Sequence, residues 1–329
     1  MRKLYAEVEN IVKKIDFNAI WKGFAPCDFV LYDNNFVFFK DKDIPWDNRF
    51  VGNTAKEIDG IQTAIWGVTN TDAEDAELLA MGIVHEMFHV FQNRQGESRR
   101  INEFIMFTYP HDVDNYHLKM AEIHYLIKAF GENSEVDFEQ FAVLRRARQA
   151  IIGDALQQEL LAETFEGMAE YAGMMALRQI SNQKFMEQLE NQLVYIRNPN
   201  NIFDVRRISY YMGSILCMTL KSLGRDFYHS LSETKSLFEL INRKLTVVDE
   251  SLDKFQKDLQ SRFEEFRKNH SDRVKRNALI TGFDPMNMER FGDEFLCKNF
   301  VVLDGEFIKG PVLLVMEEGS LQKVKAYLK

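Results

Sequence analysis

The chain has 329 residues, of which 46% are hydrophobic and 28% charged, an ordinary globular composition long enough to bury one large core or two smaller ones. Its formal charge of -9, with no Lys/Arg run interleaved with aromatic residues, argues against a nucleic-acid partner. No stretch reaches the roughly 18 apolar residues of a membrane span, the N-terminus lacks an apolar signal region, and Cys27, Cys217 and Cys297 are far apart, so a cytoplasmic chain without disulfides is expected.

The first 25 residues suit an amphipathic helix with Leu4, Val8, Ile11, Val12 and Ile15 on one side. The period then changes: Phe29 to Tyr32 and Phe36 to Phe39 flank Asp33-Asn34-Asn35 and predict a β-hairpin. A further extended run covers Gln62 to Thr69. Two readings are open for it, an ordinary core strand or an edge strand whose Ile65, Trp66, Gly67 and Val68 align a peptide by β-augmentation.

Thr71-Asp72-Ala73-Glu74 reads as a capping box, followed by Leu78, Leu79, Met81, Ile83, Val84, Met87, Phe88, Val90 and Phe91 and a stop at Gly96. These features predict a largely buried helix of about six turns. On it lies His85-Glu86-Met87-Phe88-His89. Two imidazoles four residues apart share a helix face and can share one metal ion, with Glu86 between them as general base. At this chain's own His and Glu frequencies the pattern arises by chance in roughly one such sequence in a hundred.

From there to about His270 the pattern is mostly helical, including a pair at Tyr116 to Phe130 and Asp137 to Ile152, and an amphipathic stripe of Leu252, Phe255, Leu259, Phe263 and Phe266. Phe295 to Leu303, Asp304-Gly305 and Ile308 to Met316 predict a second hairpin, closed by a short helix from Leu321 to Leu328. The expected organisation is an α/β part over 1–96, a helical part over 97–270 and a terminal part over 271–329, or one compact catalytic unit.

Catalytic zinc usually takes three protein ligands and a water. Gln92 and Gln95 stand where a metzincin needs Gly and His, so the third ligand lies elsewhere. Glu159, Glu163, Glu166 and Glu170, spaced four, three and four, fall in one stripe of a helix, which reads equally as a ligand source or as a solvated acidic face. His111, His117, His124, His229 and His270 form no ligand set, although His117 and His124 share a helix face seven residues apart.

The segment Glu166-Gly167-Met168-Ala169-Glu170-Tyr171 resembles the E-G-φ-A segment of gluzincin zinc metallopeptidases, in the aminopeptidase-N-like or thermolysin-like branch. The resemblance implies Glu166 as third zinc ligand, with Glu163 as the alternative one turn earlier and Glu170 accepting a hydrogen bond from a ligand imidazole. Ile208 to Leu216 is similar to the same branch's Y-x-x-G segment, which nominates Tyr210, or else Tyr211, as oxyanion donor. Implied too is an α+β fold, predominantly helical, with a small zincin-type sheet before the active-site helix.

Two departures matter. Between His89 and Glu166 lie 76 residues, far more than in that branch, so the helical pair is an insertion that forms a lid or wall. The amine-binding G-x-M-E-N segment is absent around Gly60-Ile61-Gln62-Thr63, and neither Glu103, Glu163 nor Glu170 stands out as a replacement. The expected activity is hydrolysis of a peptide or protein substrate with one zinc ion. The alternatives are a catalytically silent zinc-site binding protein and a protease specialised for one protein target.

Overall fold

The computed structural model describes residues 1–68, 75–102, 104, 108–233, 235–240, 253–270, 273–320 and 322–329, with backbone only at 240 and 253–258. Thr69, the capping box Thr71 to Glu74, Glu103, Leu252 and the side chain of Phe255 lie outside this set. The fold is α+β and predominantly helical. One hydrophobic core takes in residues from Tyr5 to Phe238, and a separate one is built by residues from Ala278 to Val324.

Helices α1 (Arg2–Val12) and α2 (Phe17–Ile20) replace the single predicted N-terminal helix. Asp16 makes the break, because its side chain accepts from the Ala19 amide and caps a new turn. Strands β1 (Phe29–Tyr32) and β2 (Phe36–Phe38) form the expected hairpin. With β3 (Asp43–Pro45), β4 (Thr54–Ile58) and β5 (Ile61–Gly67) they make a five-stranded sheet in the order β3-β2-β1-β5-β4.

Of the two readings open for this run, the structure shows the core strand, and the edge strand at Ile65 to Val68 is corrected. β5 runs parallel to β1 on one side and antiparallel to β4 on the other, so Ile65 is paired both ways, with Val30 and with Thr54. The true edge on that side is β4, whose polar sequence Thr54-Ala55-Lys56-Glu57-Ile58 carries little strand signal. Asp59-Gly60, with φ of 50° and 81°, closes the β4–β5 hairpin as an Asp-Gly turn does, and that dipeptide was the available clue.

Helix α3 (Ala76–Arg94) lies between this sheet and α6 (Asp154–Ile180). Asp75 caps it by accepting from the Glu77 and Leu78 amides at 3.0 and 3.1 Å. Glycines set both approaches. A Cβ on Gly82 would stand 2.4 Å from the Trp66 ring, and one on Gly173 would stand 2.9 Å from the Met81 carbonyl oxygen. Trp66 thus locks the sheet to α3.

The predicted inserted pair is α4 (Val113–Glu132) and α5 (Glu135–Ile152), an antiparallel hairpin turned at Asn133, whose φ of 52° ends α4. Then come α6, α7 (Asn182–Arg197) and α8 (Val205–Ser222). α6 and α8 cross in near backbone contact, because a Cβ on Gly167 would lie 2.4 Å from the Gly213 Cα and one on Gly213 only 2.1 Å from the Glu163 carbonyl oxygen.

After α9 (Asp253–Asn269) the chain builds a seven-stranded sheet, larger than the hairpin expected there. Its strands are β6 (Arg273–Phe283), β7 (Met288–Phe291), β8 (Glu294–Cys297), β9 (Phe300–Leu303), β10 (Glu306–Lys309), β11 (Val312–Met316) and β12 (Lys323–Leu328). Asp304-Gly305 does turn a hairpin, between β9 and β10. The helix predicted over Leu321 to Leu328, whose first residue lies outside the described set, is corrected: Lys323–Leu328 is a strand, paired between β6 and β11. Val324, Ala326 and Leu328 are buried at every second position, a period of two that suits no helix. α9 covers the sheet with Phe263 and Phe266 against Leu296 and Leu313. Among the described residues no helix is long and apolar enough to cross a membrane, and the three cysteines are free.

The Gly167–Gly213 crossing should be intolerant of any side chain. Replacing Gly213 with alanine is expected to destabilise the protein by about 1–3 kcal/mol or more through overpacking. Thermal unfolding followed by circular dichroism measures this, and an unchanged midpoint would mean that the helices separate freely.

Candidate metal centre

α3 presents His85 and His89 one turn apart toward α6, and the two Nε2 atoms stand 3.1 Å from each other. Glu166, on the facing side of α6, brings its Oε2 within 3.0 Å of His89 Nε2 and 3.6 Å of His85 Nε2. All three residues are buried, and among the described residues they are the group of side chains able to hold a metal ion. His117 and His124 do not join it.

Protonation follows from the outer partners. His85 Nδ1 lies 3.1 Å from Glu170 Oε2, and a carboxylate only accepts, so Nδ1 carries the proton. Gln92 donates through Nε2 to the Phe165 carbonyl at 2.9 Å, which turns its Oε1 toward His89 Nδ1 at 2.7 Å. Each imidazole thus has its Nδ1 held by an outer partner and directs its Nε2 inward, as metal-ligating histidines do. Two imidazole nitrogens and a carboxylate oxygen then face one another at contact distance. That arrangement favours a shared cation, either a proton or a metal ion.

The donor spacing fits a small ion. Donors about 2.0–2.1 Å from a tetrahedral metal lie about 3.3 Å apart, and the separations here run from 3.0 to 3.6 Å. Charge points the same way. Burial lowers the His85 pKa, but hydrogen bonds to Glu166 and Glu170 and the charge of Glu86 win and push it up to about 10. Burial works against ionisation of Glu166 too, yet Arg206 and His89 hold its carboxyl well below the usual range. The centre attracts positive charge.

Five further groups complete it. Arg206, in the first turn of α8, donates through Nη2 to Glu166 Oε1 at 2.8 Å and lies 5.0 Å from the Tyr210 ring centre. Tyr210 in turn stacks on His85, with ring centres 5.7 Å apart and planes 9° from parallel. On the other side Phe165 stacks on His89 at 4.5 Å, and Arg100 lies 4.3 Å from the Phe165 ring centre. Gln192 of α7 donates to Glu170 Oε1 at 2.7 Å. Tyr211 faces Tyr195 instead, edge to face at 5.5 Å.

Glu86 is near enough for its charge to act on the same site. It is 6% exposed, its Oε2 has no hydrogen-bond partner among the described residues, and burial raises its pKa. A carboxylate so placed is costly unless it serves a proton or a cation.

The acidic stripe of α6 is not a solvated face. Its four carboxylates are all buried, and they divide into two pairs. Glu166 and Glu170 meet the histidines. Glu163, offered as an alternative ligand and an outer partner of the site, instead meets the Arg145 guanidinium, with Nη2 to Oε1 at 2.8 Å. Glu159 accepts from Arg148 at 2.6 and 2.9 Å, from Lys119 at 3.1 Å and from the Tyr109 hydroxyl. Glu122 joins Arg145 to Arg148. Helices α4 and α5 supply every cation of this network. Of the remaining sequence candidates, Ile65 is buried in the sheet, and Trp66 and Gly67 pack on α3 and Tyr32.

Arg206, Gln92, Gln192, Phe165 and Arg100 were not singled out in the sequence. Helix geometry offered a clue for two of them, since Arg206 precedes Tyr210 by one turn and Gln92 follows His89 by three residues. Gln192 comes from a separate helix with no local signal. Comparison of the chain with known protein-family models, curated proteins and solved structures finds no match. The gluzincin resemblance therefore rests on its three short segments.

Glu166→Ala should abolish stoichiometric metal binding, and Gln92→Ala should weaken it about 10–100-fold. Glu163→Ala should keep the metal but lose about 3–5 kcal/mol of stability by stranding buried Arg145. Competition with a chromophoric chelator and urea unfolding separate the two effects. Metal loss in Glu163→Ala with retention in Glu166→Ala would reverse the assignment.

Proposed function

We propose that this chain is a gluzincin-type zinc metallopeptidase that hydrolyses peptide bonds, with His85, His89 and Glu166 holding one zinc ion. The observation that carries this reading is the buried Glu86 carboxyl with an unpartnered oxygen beside the three converging donors. Two imidazoles and a carboxylate suit zinc best. When bound, the ion would polarise the scissile carbonyl and acidify a water.

Glu86 takes the proton released in the attack and returns it to the leaving amine. Its raised pKa brings the carboxyl nearer the range in which both transfers run at neutral pH. Tyr210 supplies a neutral phenol donor for the developing oxyanion. Burial first, and the charge of Glu166 second, keep that phenol protonated well beyond its ordinary range. Arg206 holds Glu166 ionised and in place. Glu170 and Gln92 fix the two imidazoles.

A peptide aligned by β-augmentation would use β4, since β5 has no free side and β4 is the edge strand nearest α3. The three free cysteines fit a reducing compartment such as the cytoplasm.

The test is zinc analysis and peptide-library cleavage on the wild type and Glu86→Gln. Both proteins should carry zinc, and the substitution should slow cleavage about 10²–10⁴-fold. Zinc in both with no difference in cleavage would sink the peptidase reading and leave a silent metal-binding protein.

A further inference from the structure

A cavity of about 270 Å³ opens between the helical body and the C-terminal sheet, and Arg206, which also bonds Glu166, lies in its wall. Every cation of its lining is already engaged. Arg262 and Lys298 both meet Glu289, at 2.5 and 2.8 Å, Arg207 meets Asp204 at 3.6 Å, and Arg206 meets Glu166 at 2.8 Å. Arg290 donates through Nε to the Gly292 carbonyl at 2.8 Å and makes further interactions. An entering carboxylate would meet the second oxygen of Glu289, and an entering ammonium would meet the guanidiniums. The walls therefore favour an uncharged ligand, which sheds the least water on entry.

Much of the remaining lining is aromatic. His111 and Phe203 stack with ring centres 5.0 Å apart and planes 23° from parallel, and Tyr116 lies against Phe203 at 4.2 Å. Burial first, and Arg290 second, lower the His111 pKa to about 4, so this imidazole is a neutral flat face. Two polar atoms of the same lining residues are unmet. Tyr116 is 2% exposed and its hydroxyl has no hydrogen-bond partner among the described residues, and neither has Oε2 of Glu289. Buried groups left unmatched in this way are costly. A phenol gives one hydrogen bond, whereas a carboxylate paired with cations only accepts. A hydroxyl on the ligand answers both, accepting from Tyr116 and donating to Glu289. An ammonium cannot accept and a carboxylate cannot donate; a primary amide does both but brings no ring to the aromatic wall.

We propose that this cavity is a specificity pocket for a tyrosyl side chain, so that the substrate is a peptide whose tyrosine is held next to the metal centre. The ring lies along His111 and Phe203, and its hydroxyl sits between Tyr116 and Glu289. The volume, just below the roughly 300–1,000 Å³ of ligand pockets, takes one side chain and not a longer segment. Arg206 belongs both to this wall and to the Glu166 contact, which makes pocket and metal centre neighbours. The word substrate rests on the peptidase reading, whereas the binding itself does not.

Binding is therefore measured without turnover, by titration calorimetry on zinc-loaded Glu86→Gln. The probes are acetylated pentaalanine amides with tyrosine, phenylalanine, glutamine or glutamate at the central position. The tyrosine peptide should bind about 10–100-fold more tightly than the phenylalanine peptide, as a hydrogen bond to a charged acceptor provides, and both should exceed the glutamine and glutamate peptides. N-acetyltyrosinamide set against N-acetylphenylalaninamide repeats the comparison on metal-free wild type, so that a protein without zinc or without cleavage still reports on the pocket.

Tyr116→Phe and Glu289→Ala, each added to Glu86→Gln, should cut the tyrosine preference at least threefold and together erase it, while binding of the phenylalanine peptide and zinc content stay unchanged. Arg262 and Lys298 are nearly half exposed and remain solvated without Glu289, so Glu289→Ala keeps the test sound if Tyr116→Phe folds poorly. Equal binding of the tyrosine and phenylalanine peptides, tighter binding of the glutamine or glutamate peptide, binding of none, or a preference that survives both substitutions would overturn the proposal. Loss of cleavage alone would bear on the peptidase reading and leave this result standing.

Discussion

Burying four carboxylates along one stripe of α6 is the constraint around which the molecule is arranged. Glu159, Glu163, Glu166 and Glu170 are each less than a tenth exposed. An unpaired carboxylate at such depth costs several kcal/mol, so every neighbour of that stripe must bring positive charge or a hydrogen-bond donor. α4 and α5 answer the first two with Lys119, Arg145 and Arg148. α3 and α8 answer the other two with His85, His89 and Arg206. The first pair is closed by protein cations alone. The second is left with two inward imidazole nitrogens and a carboxylate oxygen that could hold an ion.

That division gives α4 and α5 a structural meaning. They do not cover a ready-made site from outside; they neutralise half of the helix that carries its third donor. Replacing such a network by apolar residues can be neutral for stability, so its value here is to fix the rotation of α6, which must present Glu166 rather than Glu163 to the histidines. Gly167 and Gly213 fix the depth. With no side chain at the crossing, α8 comes close enough for Arg206 to reach Glu166 and for Tyr210 to lie on His85.

The aromatic rings repeat this logic on both sides of the centre. Each histidine is stacked on one aromatic residue, and each of those rings lies near an arginine, Arg206 with Tyr210 and Arg100 with Phe165. Stacking holds the imidazole planes, while the hydrogen bonds to Glu170 and Gln92 hold their tautomers. The neighbouring cavity runs from Arg206 outward to the C-terminal sheet.

Local periodicity in the sequence was enough for α3 with its two histidines on one face, for the β1–β2 hairpin, for the inserted helical pair and for the spacing of the four glutamates, because each of these is written within a few residues. It failed where burial by distant elements decides. The short polar strand β4 and the alternating β12 take their form from neighbours in their sheets, and β5 lost its expected edge to β4. The stripe of α6 looks the same whether solvated or buried, and only packing reveals which carboxylate meets Arg145 and which meets His89. The sequence by itself determined the donor types and the helix that carries them. The tertiary structure decided their partners, because hydrogen bonds and charge pairs between helices depend on rotation and depth, and neither is encoded in the spacing along one chain segment.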